Sequence, residues 1–165
     1  MKTQQLIAEL EFEWISTAKL LNLVPADKLT WQPHPVAMTL GVLANHVAVI
    51  PGRYLTFARQ GSTALETLID HPSPKSKQEI LENFNANCIK AKELLNNADE
   101  TWENKSWNLT KNDSVIFTLP FPLFTRLLVF NHLFHHRGQL TTYLRTLNIS
   151  IPAVYGPSAD ENPFE

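Results

Sequence analysis

The 165-residue sequence predicts an all-α protein, a four-helix bundle with long loops, and two observations carry that prediction. Four segments repeat apolar residues every three or four positions, and the stretches between them are rich in proline. One narrow apolar stripe cannot hold a helix together alone in water, whereas packing four stripes against each other buries them all. The expected organisation is a single domain over residues 1–165, a usual length for one hydrophobic core.

Each element has its own signal. Leu6, Leu10, Trp14, Thr17 and Leu21 step by four and three along one stripe, which predicts a first helix over about 3–23. Pro25, Pro33 and Pro35 then remove backbone donors and disfavour helix in the residue before each. VPADKLTWQPHPVAM therefore reads as an ordered loop that packs Trp31 across a helix end. Thr39 is a good N-cap, and Val42, Leu43, His46, Val49, Ile50, Tyr54 and Phe57 follow it at helical spacing. This predicts a second helix over about 39–59, kinked near Pro51, whose ring removes one backbone bond. Gly61, Pro72 and Pro74 mark a polar link. Ser76 and Glu79 then form a capping box, and Ile80, Phe84, Cys88, Ala91 and Leu95 share the face of a third helix over about 76–97.

Residues 99–120 have no helical stripe. VIFTL within them is β-branched and aromatic and follows an Asn-Asp-Ser cluster, which predicts a short β-hairpin before the last helix. From Phe121 to Leu147 the chain has no proline after Pro122, and Val129, Leu133, Leu140, Leu144 and Leu147 share a face, so the fourth helix is the longest. NISIPAVYGPSADENPFE, with three prolines and a glycine, reads as an irregular tail packed over the helices.

Composition narrows the function. The net charge is −2 and no run of Lys or Arg could neutralise a row of phosphates, which argues against a nucleic-acid partner. No stretch of about 18 apolar residues exists, and charges interrupt MKTQQLIAELEFEW, so neither a membrane span nor a signal peptide is expected; the expected location is the cytoplasm. Cys88 is the single cysteine, and its place on the third-helix stripe makes it a small apolar residue rather than a nucleophile. Any bound metal must be held by His, Asp or Glu.

The histidines supply such a site. His132 and His136 are four residues apart, so on a helix they differ by about 40° in direction and one turn in height and can face one ion. His135 competes for that role at a spacing of three from His132. The apolar register decides against it: His136 falls within the buried arc, His132 at its edge and His135 outside, near Asn131, Thr142 and Thr146. A third donor must come from another helix. His46 lies in an apolar stripe, whereas His34 and His71 sit in proline-flanked loops. The expected cofactor is thus one divalent transition metal, zinc, nickel or iron, on His46, His132 and His136.

The runs TLGVLANHVAVIPGRY and NHLFHHRGQLTTYLR and the closing IPAVYGPSADE resemble three signature stretches of the DinB branch of the DinB/YfiT-like superfamily. The resemblance spans essentially the whole chain, and HHRGQLTTYLR is its most specific part. It implies a four-helix bundle of unusual connectivity, frequently a homodimer, with a metal on a His…His-x-x-x-His set. By position these are again His46, His132 and His136. It further implies a reaction on a small molecule, since the family includes thiol-dependent transferases and isomerases and some hydrolases.

Three protein ligands leave a position open for water or substrate, the arrangement of catalytic zinc sites. The expected function is a metal-dependent enzyme, either a hydrolase or a transferase of a low-molecular-weight thiol such as bacillithiol, mycothiol or glutathione. Two alternatives stand beside it: a stress-related metal-binding module without turnover, and a structural bundle with an empty cluster. Arg137 and Gln139 flank the ligands and, with Tyr155, are the candidate substrate-binding residues. Arg137 falls near the apolar arc and needs a carboxylate, for which Asp160 and Glu161 in the tail are the candidates. Trp31, Trp102, Trp107 and Tyr155 are candidates for roofing the metal cavity.

Overall fold

The computed structural model describes residues 3–98 and 101–164. Residues 99 and 100, at the start of the stretch expected to form the hairpin, lie outside the described residues, as do 1, 2 and 165 at the ends of the expected domain.

The helices start where the capping chemistry places them. Helix α1 is Thr3–Leu23, α2 is Leu40–Gln60 and α4 is Lys77–Asn96, with a single turn, α3, at Leu65–Leu68. Thr39 caps α2 by accepting from the Val42 amide at 3.3 Å, and Gly61, at φ 77°, ends it in the left-handed conformation that a side chain disfavours. Ser76 caps α4 through the Glu79 amide at 3.1 Å. The Glu79 carboxylate reaches back to the Lys75 amide at 2.6 Å, one residue earlier than the usual capping box. Helix α2 continues through Pro51.

The fourth predicted helix is three joined segments. One turn of α-helix, α5 (Phe121–Phe124), passes into a π-helical segment, Thr125–Asn131, and then into α6 (His132–Thr146). The wider π turn ends directly before the first histidine of the late pair.

The all-α expectation needs correction, because the molecule is mostly helical but carries a small three-stranded sheet in the order β1-β2-β3. Strands β2 (Ser106–Lys111) and β3 (Ser114–Pro120) form the expected hairpin, and β1 (Ser62–Ala64) adds to β2 in parallel. The hairpin turn is Asn112-Asp113, at φ 49° and 59°, values these two residue types tolerate and a two-residue turn requires. Strand β1 has three residues and no alternating pattern, so nothing in its own sequence marks it. Its partner does: the indole of Trp107 donates to the Thr63 hydroxyl at 3.0 Å inside the protein, tying β1 to the hairpin.

Helices α1, α2, α4 and α6 pack around a shared core that includes Leu6, Leu10, Leu20, Leu43, Val47, Ile50, Ile80, Phe84, Leu133, Leu140 and Leu144. The α2–α4 contact is the most extensive between helices. A Cβ built on Gly52 would stand 2.5 Å from the Asn87 side-chain oxygen and 2.9 Å from its Cα, so only glycine allows this approach.

Trp31 and the two later tryptophans pack structure elsewhere than over the histidines. Trp31 meets Tyr143 edge-on at 5.7 Å, and its carbonyl accepts from the Leu40 amide, which docks the first loop on the start of α2. Trp102 stacks on Phe121 at 4.4 Å and Trp107 meets Phe124 at 5.0 Å, joining the sheet to the start of the last helical run.

Candidate metal centre

Helix α2 turns His46 into the core, where it is 2% exposed, and α6 brings His132 and His136 against it. The Nε2 atoms of His46 and His132 are 3.1 Å apart. The ring of His136 lies 4.5 Å from that of His46 and 4.6 Å from that of His132. One donor nitrogen from each residue falls within 4.8 Å of the other two. Nitrogens around a tetrahedral metal with bonds of about 2.0–2.1 Å stand about 3.4 Å apart, so the cluster has the size for such an ion. Among the described residues this is the one group of three or more potential ligands at that spacing. His135 is exposed and stands outside this group, although its ring meets that of His136 at 4.8 Å, and Cys88 sits half-buried on α4, where burial pushes its thiol up to about 12.

Electrostatics prepare these imidazoles to bind a cation. Burial, then the neighbouring His136 and His132, lowers His46 to about 2; burial, then His136, lowers His132 to about 4. Burial also lowers His136, against the opposing effect of its Gln139 hydrogen bond. All three are therefore neutral at pH 7, the form in which imidazole ligates a metal. No carboxylate belongs to the group, so a divalent ion would keep its full charge on the water or substrate it also binds.

Two of the three residues proposed for substrate are engaged in a buried network. Arg137, 2% exposed, places Nη2 2.7 Å from Glu13 Oε2 on α1, and its Nη1 donates to the Glu13 carbonyl and to the hydroxyls of Ser16 and Thr17 at 3.1–3.2 Å. The Tyr155 hydroxyl accepts from Arg137 and donates to Glu13 Oε2 at 2.8 Å. The partner of Arg137 is thus Glu13, and neither Asp160 nor Glu161 as the sequence suggested. Those two fasten the tail: Asp160 pairs with Arg145 on α6 and accepts from the Ile151 amide, and Glu161 accepts from the Ala153 amide and lies 4.0 Å from Lys19 on α1. The third residue, Gln139, accepts at 2.8 Å from Nδ1 of His136, which leaves Nε2 of that histidine free to ligate.

Two further residues at the site escaped the sequence reading. Tyr54, one step along the α2 stripe from Ile50, packs its ring 4.8 Å from His132 and forms the aromatic wall that the tryptophans do not. His71, set aside as a loop residue, stands with its ring 4.3 Å from that of His46. Tyr54 was visible in the helical stripe; His71 lies in a proline-flanked loop, where no periodicity reports direction.

Fold and site together define a mostly helical protein with a three-histidine cluster, joined from two helices, that could hold a metal ion. The chain belongs to the DinB family, whose model matches residues 1–163. It is 29% identical over 153 residues to the protein YrdA of Bacillus subtilis (strain 168), covering 92% of this chain and 86% of that one. Its fold is similar to the crystal structure of the DinB-like protein YjoA from Bacillus subtilis, with a TM-score of 0.70 at 15% identity over 91% of this chain and 97% of that one. A DinB-like protein from Bacillus cereus ATCC 10987 gives a TM-score of 0.68 at 25% identity, covering 90% and 94%. Among the described residues no helix is long and apolar enough to cross a membrane.

Proposed function

We propose that this protein is a metal-dependent enzyme of the DinB four-helix-bundle type that acts on a small molecule in the cytoplasm, as a hydrolase or as a transferase of a low-molecular-weight thiol. The observation that carries the reading is the convergence of His46, His132 and His136 on one point, with no carboxylate among them. In this reading the three imidazoles hold one zinc, nickel or ferrous ion and leave a coordination position for water or substrate. The bound ion would act as a Lewis acid and lower the pKa of the water or thiol beside it.

The chain's own residues do the rest. Gln139 holds the proton on Nδ1 of His136 and so aims Nε2 inward. Arg137, anchored on Glu13, fixes the α6 backbone between His136 and Gln139, and Tyr155 brings the tail to the same place. Substrate contact at this end of the molecule falls to the outer face of Tyr155, whose side chain is otherwise exposed, and to Gln139. A second copy of the chain belongs to the reading: Val115, Ile116 and Phe117 are more than half exposed on the edge strand β3, a surface that pairing would cover.

The test is elemental analysis of protein purified without a polyhistidine tag, beside His46→Ala, His132→Ala, His136→Ala and His135→Ala. About one metal per chain is expected in the wild type and in His135→Ala, with loss in the other three at unchanged helix content. Equal retention by all four variants refutes the ligand set. Turnover in a panel of hydrolase substrates and of thiols with electrophiles then tests catalysis; a loaded protein inert throughout is a binding module and no enzyme.

A further inference from the structure

His71 sits in the link between α3 and α4, and that link is fastened to α2 on both sides of it. Arg53 donates from Nη2 to the Thr67 carbonyl at 2.6 Å and from Nη1 to the Asp70 carbonyl at 2.8 Å. Asn45 donates to the Pro72 carbonyl at 3.4 Å, while its own oxygen accepts from Asn83 on α4 at 2.8 Å. Both anchors come from the helix that carries His46, one residue before it and seven after. Ordering a loop costs conformational entropy for each residue held, and here two side chains of α2 hold the backbone on either side of His71.

The two rings have matching loose ends. Nδ1 of His46 and Nδ1 of His71 are both buried and, like Nδ1 of His132, neither has a hydrogen-bond partner among the described residues; of the three, only those of His46 and His71 belong to residues that line one common cavity. Leaving such a group unpaired costs about 1–3 kcal/mol, so each calls for an explanation. Both residues line one small cavity, with Val42, Asn45, Val49, Arg53 and Pro72, whose volume of about 10 Å³ suits one water molecule with polar groups around it. The other nitrogen of His46, Nε2, already faces His132. A histidine that ligates through Nε2 must carry its proton on Nδ1, and such ligands almost always donate that proton to a fixed acceptor. Gln139 is that acceptor for His136; nothing on α2 or α6 serves His46.

We infer that His71 is the positioning residue for His46: its Nδ1 accepts, through one water in this cavity, the proton that His46 carries on Nδ1, and so holds His46 in the tautomer that ligates through Nε2. The inference rests on the metal reading above. No bond to the metal is asked of His71, which stands outside the set of donors that lie within 4.8 Å of one another.

The test uses the full untagged chain, stripped by a chelator and titrated with zinc against a chromophoric competitor. His71→Phe keeps a ring of similar breadth and removes the acceptor; His71→Gln restores an acceptor. His71→Phe is expected to weaken zinc binding about 10- to 100-fold and His71→Gln to recover most of it. Long-range ¹⁵N–¹H spectra of the metal-free wild type should show His46 protonated on Nδ1, with that preference lost in His71→Phe. Wild-type affinity in His71→Phe, or a His46 protonated on Nε2 in the wild type, overturns the inference while leaving the metal reading intact. A wild type that binds no zinc overturns both.

Discussion

Arg137 on α6 and Glu13 on α1 meet as a buried ion pair, Nη2 to Oε2 at 2.7 Å, one residue away from a proposed metal ligand. Removing one partner of such a pair leaves the other charge buried and unpaired, at a cost of about 3–5 kcal/mol. Glu13→Ala should therefore lower the unfolding free energy by about that amount in urea titrations. Adding Arg137→Met should return part of the loss, because no charge is then stranded. A double variant no more stable than Glu13→Ala would show that the ion pair is not what the position needs.

Gln139 predicts an effect on metal without an effect on fold. Its side chain is exposed apart from its bond to His136 Nδ1 at 2.8 Å, so Gln139→Ala should leave the melting temperature of the metal-free protein nearly unchanged. Zinc affinity should fall about 10- to 100-fold, the usual consequence of losing an outer partner of a ligand. Competition titration measures it, and an affinity equal to wild type would remove Gln139 from the site.

Stability of the metal-free protein should decline in mild acid. The unfolded chain protonates its histidines near 6.5, while burial holds His132 to about 4 and His46 to about 2 in the folded state. Between pH 6.5 and about 4 the unfolded state therefore binds more protons than the folded one, so stability decreases as the pH is lowered, by up to about 1.4 kcal/mol per unit for each such histidine. Above 6.5 the contribution is complete and flat. Urea midpoints at pH 7.5, 6.0 and 5.0 should show this slope in wild type and a shallower one in His46→Ala; parallel slopes contradict it.

Gly52 lies where α2 approaches α4, and an added methyl there meets Asn87. Gly52→Ala should destabilise by about 1–3 kcal/mol through overpacking, although alanine is the better helix former. A stabilised variant would mean that α4 can move aside freely.

Metal removal supplies a further check on the site. A ligand present at about 100 times its dissociation constant adds about 2.7 kcal/mol to the folded state. Chelation should lower the melting temperature of wild type and His135→Ala and leave that of His136→Ala unmoved. A wild type indifferent to chelator would place the ion, if any, elsewhere.

The sequence by itself determined the first three long helices and the shared direction of His132 and His136, because periodicity at 3.6 residues reports direction around a helix. It also located the hairpin and both helix caps, since these rest on residues adjacent in the chain. Only the tertiary structure decided that Glu13 rather than Asp160 or Glu161 answers Arg137, that β1 joins β2, and that the loop residue His71 comes to rest beside His46. Glu13 did lie on the buried line between Leu10 and Thr17, but a stripe states that a residue points inward without naming what it meets. Each of these pairings spans from 25 to over 120 residues of chain, and local spacing carries no information across such a distance; it is decided by which surfaces close together when the core packs.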